Sequence, residues 1–275
     1  MPLPPPPAPR QTAPPRATAA ANRWADARCA KAFWSQSELP VFHQLVAATL
    51  DLAAPKPGEA WLDLGCGGGT LTRGLWERSG GAVARVVGLD YAAANAARYE
   101  VLARELGAGD RVRFEHGDFS GGLARFADAS FDHAVSGLAV TYAEHFDAAT
   151  GRWTQAAYDA LLAEVRRVLK PGGRFVFSVN VPEPSWWAVG LRSLAGALAQ
   201  SRRPLKFLKN CLRMNGYGAW LKAEARVGRF HYLPAAEVAA KLRAAGFTDV
   251  RHTLAYARQA FLFTATASAS RVGGG

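Results

Sequence analysis

The stretch Ala60-Trp61-Leu62-Asp63-Leu64-Gly65-Cys66-Gly67-Gly68-Gly69-Thr70-Leu71 constrains this chain more than any other. A short apolar run stops at a cluster of glycines and an apolar-periodic segment follows, which reads as strand, tight turn and helix. Gly65, Gly67, Gly68 and Gly69 leave no side chain between the backbone and a ligand. They can take positive φ, so the turn can present main-chain N–H groups at a helix N-terminus.

Several nucleotide-binding folds share such a turn, and the neighbouring residues separate them. A dinucleotide fingerprint wants Gly-x-Gly-x-x-Gly or Ala, but counting from Gly65 puts Thr70 at the third small position. A Walker loop wants a Gly-Lys-Ser or Gly-Lys-Thr end, and no lysine is present. Asp63, two residues before the first glycine, is what remains distinctive. Its charge repels a pyrophosphate and suits a ligand bearing an ammonium and a sulfonium.

Further strands and helices follow at the spacing of an open α/β sheet. Arg85 to Asp90 reads as a second buried strand ending in a carboxylate, with Tyr91 beside it and a helix over 92–106. Two readings of Asp90 stand: an N-cap for that helix, or an acceptor-only group for both hydroxyls of a ribose. Arg111 to Glu115 is a third strand by alternation, Ser130 to Leu138 a fourth, and Arg174 to Asn180 a fifth, entered from an amphipathic helix over 154–169. Tyr142, Glu144 and His145 form the tight cluster of titratable groups after the fourth strand. His145 and Tyr142 are therefore the candidate catalytic groups, with His145 suited to proton removal near neutral pH.

The run Asp63-Leu-Gly-Cys-Gly-Gly-Gly69 resembles the first motif of class I S-adenosylmethionine-dependent methyltransferases. Val168-Leu-Lys-Pro-Gly-Gly-Arg-Phe175 and Ala245-Gly246-Phe247 match the same family, and the likeness covers roughly Trp61 to Thr266. It is greatest to the small-molecule "type 11" branch of quinone and sterol methyltransferases. The resemblance implies a Rossmann-like α/β fold: seven strands in order 3-2-1-4-5-7-6, helices on both faces, the last-added strand antiparallel, and here a helical insertion after strand 5. It also implies S-adenosylmethionine as cofactor. Asp63 would lie near its amino-acid end, Gly65, Cys66 and Gly67 against its backbone-facing side, and Asp90 with Tyr91 at the ribose. Asp118 would meet the adenine amino group and Phe119 the ring. Trp34 would cover the ligand or belong to the core. The Asn-Pro-Pro-Tyr or Asp-Pro-Pro-Tyr segment of base-amine and glutamine methylation is missing after the fourth strand, which weighs against those acceptors.

Charge and composition bound the rest. Cys29, Cys66 and Cys211 are widely spaced and give neither a disulfide framework nor a zinc pattern, so a reducing, cytoplasmic setting and no metal are expected. The net charge of +11 sits mostly in two places: a leader with three arginines and no acid up to Arg23, and nine basic residues against Glu183 and Glu224 over 182–230. The Pro/Ala-rich residues 1–21 read as a disordered leader, 22–267 as the methyltransferase domain, 182–232 as a basic helical insertion or lid, and 268–275 as a frayed tail. Leucine stripes flanked by basic residues, with Trp186 and Trp187 at the entrance, suit an anionic membrane surface or a cover over a bulky apolar or acidic acceptor. Three functions compete: methyl transfer to a small or lipid-like acceptor, RNA methylation through the basic insertion, and cofactor binding without transfer. No recognisable RNA-binding module is present, which weighs against nucleic acid as partner.

Overall fold

The computed structural model describes residues 23–26, 28, 29, 33, 39–185, 189 and 216–268. The leader 1–21, Trp34, Trp186, Trp187, the leucine and basic faces expected over 191–213, and the tail beyond Ser268 lie outside them.

The sheet grows outward from β1 (Ala60–Leu64), all five of whose residues are buried. It lies between β2 (Arg85–Asp90) and β4 (Phe131–Gly137), parallel to both, and β3 (Val112–His116) continues the parallel edge beyond β2. On the other side β7 (Leu169–Asn180) pairs parallel with β4. β9 (Ala260–Ala267) runs antiparallel to both β7 and the edge strand β8 (Phe247–Ala255). The order is β3-β2-β1-β4-β7-β9-β8. That is the expected order once a small hairpin, β5 (His145–Asp147) with β6 (Arg152–Thr154), is set aside.

Strand alternation divides the core into two layers, because successive side chains leave opposite faces. Leu62 and Leu64 of β1 face a layer completed by Phe175 and Phe177 of β7 and by Tyr158, Leu161, Leu162 and Val165 of α4 (Ala156–Val168). Trp61 faces the opposite layer, with Leu50 of α1 (Pro40–Ala53), Leu75 and Trp76 of α2 (Thr70–Arg78), and Tyr99 of α3 (Asn95–Glu105). Asp63 shares the face of Trp61, so its side chain enters the layer that holds α2 and α3. A helix over 216–226, named α5, and α6 (Ala235–Ala244) complete the described elements.

Some elements differ from expectation for local reasons. Of the helicity expected over 22–52, the described residues show a 3-10 turn at Arg23–Ala25, helical Arg28, Cys29 and Phe33, and α1, whose start coincides with Pro40 at the first turn. It stops where Ala54 turns left-handed ahead of Pro55. The helix expected from Ala92 begins at Asn95, because Asp90 holds Ala92 in a turn. β7 starts at Leu169 and so includes Lys170-Pro171-Gly172-Gly173, which a register shift against β4 accommodates.

Candidate active site

A cleft opens at the C-terminal ends of β1, β2 and β4, where open α/β sheets bind ligands. Its floor is the glycine turn. Gly65, Gly67 and Gly69 all have positive φ, at 65°, 52° and 81°. At Gly65 a Cβ would come within 2.1 Å of the Ala139 Cβ, so the β1 and β4 ends close on each other only because that side chain is absent. At Gly67 a Cβ would meet nothing within 4 Å, which leaves the turn's outer surface bare.

Asp63 borders the cleft at 1% exposure. Its Oδ2 accepts a hydrogen bond from the Thr72 hydroxyl at 2.8 Å, and the Thr72 and Tyr99 hydroxyls lie 2.5 Å apart behind it. Its Oδ1 has no hydrogen-bond partner among the described residues. Burial pushes the carboxyl up to about 7, reinforced by the Asp90 charge and opposed by the Thr72 hydrogen bond. A buried carboxylate with one unsatisfied oxygen is what an incoming ammonium would complete. The same burial raises the Cys66 thiol, which keeps it protonated and unreactive.

Asp90 combines both readings of the sequence. Its Oδ2 accepts from the Gly67 N–H at 2.8 Å, while Oδ1 accepts from the Ala92 N–H at 2.8 Å and the Asn95 amide at 3.0 Å. It thus fixes the turn and the start of α3. A carboxylate offers about four lone-pair sites, so an acceptor site on Oδ2 is left for a ribose hydroxyl. Tyr91, Asp118 and Phe119 border the same cleft; Asp118 is exposed and accepts from the Ser120 N–H at 2.7 Å, while Phe119 is 7% exposed.

The two candidate catalytic groups separate. Tyr142 borders the far, aromatic end of the cleft with Trp24, Phe33 and Leu221. Burial pushes its hydroxyl up to about 12, so it stays protonated and serves as a hydrogen-bonding group, not as a base. His145 is not brought to the cleft. Strand β5 carries it outward, where its Nδ1 meets the Thr154 hydroxyl at 2.8 Å, so the expected proton-removing role has no geometry behind it. Glu144 beside it is taken up by Arg229, whose guanidinium it binds through both oxygens.

Three cleft residues escaped sequence reasoning. Asn95 and Arg98 sit one turn apart on α3, and a Cβ on Gly68 would come within 2.5 Å of the Arg98 Nε, so that side chain covers the turn. Asn180, a buried polar residue at the C-terminal end of β7, enters from the other side. Its place at a strand's C-terminal end was the available signal.

The fold is Rossmann-like with a cleft at the C-terminal strand ends, and comparison with known proteins makes the class specific. The family described as "Methyltransferase domain" matches residues 62–177. Demethylmenaquinone methyltransferase of Thermus thermophilus is 37% identical over 208 residues, 74% of this chain and 81% of that protein. Nocamycin O-methyltransferase of Saccharothrix syringae is 30% identical over 213 residues, 76% and 66% of the two chains. A crystal structure of an S-adenosylmethionine-dependent methyltransferase from Aquifex aeolicus covers 88% of this chain and 98% of its own, with a TM-score of 0.57 at 16% identity. The chain belongs to the class I S-adenosylmethionine-dependent methyltransferases, in the type 11 branch, and S-adenosylmethionine is its cofactor. It spans 66% of the nocamycin enzyme and 27% of two sterol 24-C-methyltransferases it also matches.

Proposed function

We propose that this chain moves the methyl group of S-adenosylmethionine to a small, largely apolar acceptor. The observation that carries the reading is one continuous cleft with two unlike ends: the carboxylates of Asp63 and Asp90 with bare backbone at one, and the rings of Trp24, Phe33 and Tyr142 at the other. Bound S-adenosylmethionine supplies a methyl group already activated by its sulfonium, so the protein's part is mainly alignment, which is worth up to ~7–11 kcal/mol in model systems.

Asp63 takes the ammonium on its free oxygen, Gly65, Cys66 and Gly67 let the ligand lie on the backbone, and Asp90 with Tyr91 holds the ribose. Asp118 accepts from the adenine amine while Phe119 faces the ring. The aromatic end excludes water and holds the acceptor in line with the methyl carbon. Tyr142 contributes a protonated hydroxyl to that end, and His145 has no part. No helix among the described residues is long and apolar enough to cross a membrane. The basic 182–232 segment, of which 216–232 borders the aromatic end through Leu221, is the part suited to touch an anionic lipid surface.

The test is transfer of label from methyl-labelled S-adenosylmethionine to phenolic, quinol and sterol acceptors and, in parallel, to bulk RNA. Label in an organic-extractable product supports the reading. Label confined to RNA, or binding with no turnover on any acceptor, contradicts it.

A further inference from the structure

The aromatic end of the cleft contains a buried polar side chain that the described residues satisfy only in part. Asn180, the last residue of β7, is 1% exposed and borders the cleft. Its Nδ2 donates to the Tyr142 hydroxyl at 3.5 Å, and its Oδ1 finds no donor among the described residues. Leaving such an acceptor buried and unpaired costs on the order of 1–3 kcal/mol, a cost that a ligand's donor removes. The surrounding surface is aromatic: Trp24 lies 4.8 Å from Phe33 and 4.9 Å from Tyr142, centroid to centroid, at interplanar angles near 50°. Tilted rings at these distances present faces and edges to a flat guest, and such pairings gain over simple area burial. The polar groups there are amide, hydroxyl and indole N–H, and the carboxylates that line the cleft itself, Asp63, Asp90 and Asp118, belong to the cofactor end.

We propose that Asn180 is a specificity-determining residue, its amide oxygen accepting a hydrogen bond from a hydroxyl on a planar aromatic acceptor held among Trp24, Phe33 and Tyr142. This rests on the methyl-transfer reading for its biological meaning, but not for its test. A hydroxyl that donates to Oδ1 is fixed in place, so the acceptor enters in one orientation and one ring position faces the methyl group. An acceptor with its hydroxyl blocked leaves Oδ1 unpaired and loses that orientation. Sites built to bond a hydroxyl reject analogues lacking it far more strongly than apolar pockets reject a missing methylene.

The probes are 2-naphthol, 2-methoxynaphthalene and decahydro-2-naphthol, titrated calorimetrically into the full chain with and without S-adenosylhomocysteine. Wild type should bind 2-naphthol at least ~10-fold tighter than either analogue. Asn180→Leu should erase the preference over the methyl ether, while Asn180→Ser, which keeps an acceptor oxygen in a smaller side chain, should retain part of it. Equal binding of naphthol and its methyl ether, or a preference that survives Asn180→Leu, overturns the role of Asn180. Equal binding of the saturated alcohol overturns the planar-acceptor class. Absence of heat with S-adenosylhomocysteine alone counts against the methyl-transfer reading and leaves this comparison standing.

Discussion

Asp63 is buried with one oxygen satisfied by Thr72 and the other by no partner among the described residues, and burial raises its proton affinity. An unfolded aspartate titrates at 3.8, whereas burial holds the folded one up at about 7. Between those values the folded chain keeps a proton that the unfolded chain has lost, so this group's contribution is most favourable near pH 4 and declines as pH rises toward 7. Asp63→Asn removes the ionisation, and its Tm should exceed that of wild type at pH 8 but not at pH 4, as differential scanning fluorimetry would read. Cofactor binding should act oppositely. An ammonium favours the carboxylate, so binding at pH 6 should release a proton, visible as calorimetric heats that change with buffer ionisation enthalpy. The Asn variant should lose that dependence and bind ~10–100-fold more weakly, as expected for a lost charge-assisted hydrogen bond. The acid itself was legible because it adjoins the glycines in sequence. Thr72 and Tyr99, whose hydrogen bonds temper the effect of burial, were not, since they reach it from two helices through packing alone.

At the scale of elements, the glycine turn separates a structural demand from a ligand demand. Gly65→Ala combines φ of 65° with a Cβ 2.1 Å from Ala139, so the β1 and β4 ends must separate. It should cost more than the ~1 kcal/mol of a left-handed alanine alone, with a lower denaturant midpoint as the readout. Gly67→Ala has φ of 52° but open space, so its midpoint should fall by only about that strain. Its methyl group would nevertheless occupy the bare surface proposed above to carry the cofactor, and S-adenosylmethionine affinity should drop at least ~10-fold. A larger midpoint loss for Gly67→Ala than for Gly65→Ala would contradict this division. Strands and helices with strong periodicity, such as α4 with Leu161, Leu162 and Val165 on one face, could be read directly. The β5–β6 hairpin could not, because three-residue strands joined across Asp147 to Gly151 carry no alternating pattern long enough to see. That miss explains His145, which looked close to the reacting end in sequence and is turned outward by the hairpin.

Across the whole molecule, the strands were legible from apolar runs set between turns and helices, and the resemblance supplied their order in the sheet. The tie between the end of the basic insertion and the core was not. Arg229 is 2% exposed; it binds Glu144 through both carboxylate oxygens, reaches Glu224 of α5 at 3.4 Å, and lies 4.7 Å over the Trp153 ring. It therefore joins α5, the segment after β4 and the hairpin at one point, beside Phe230, whose ring packs against Tyr142 at 4.9 Å. Removing one partner of a buried pair leaves an uncompensated charge, and Arg229→Met should lose about 3–5 kcal/mol of stability in denaturant titration. Adding Glu144→Met should restore much of it; a double variant as unstable as the single one would refute the pairing argument.

The central claim is that the carboxylate-flanked glycine turn binds S-adenosylmethionine. Its most direct test is calorimetric titration of that compound into wild type, Asp63→Asn and Gly67→Ala at one pH, with folding verified by thermal melts. Saturable one-to-one binding to wild type, weakened at least ~10-fold in both folded variants, is the predicted result. No heat with folded wild type, or equal affinity in all three proteins, would contradict it.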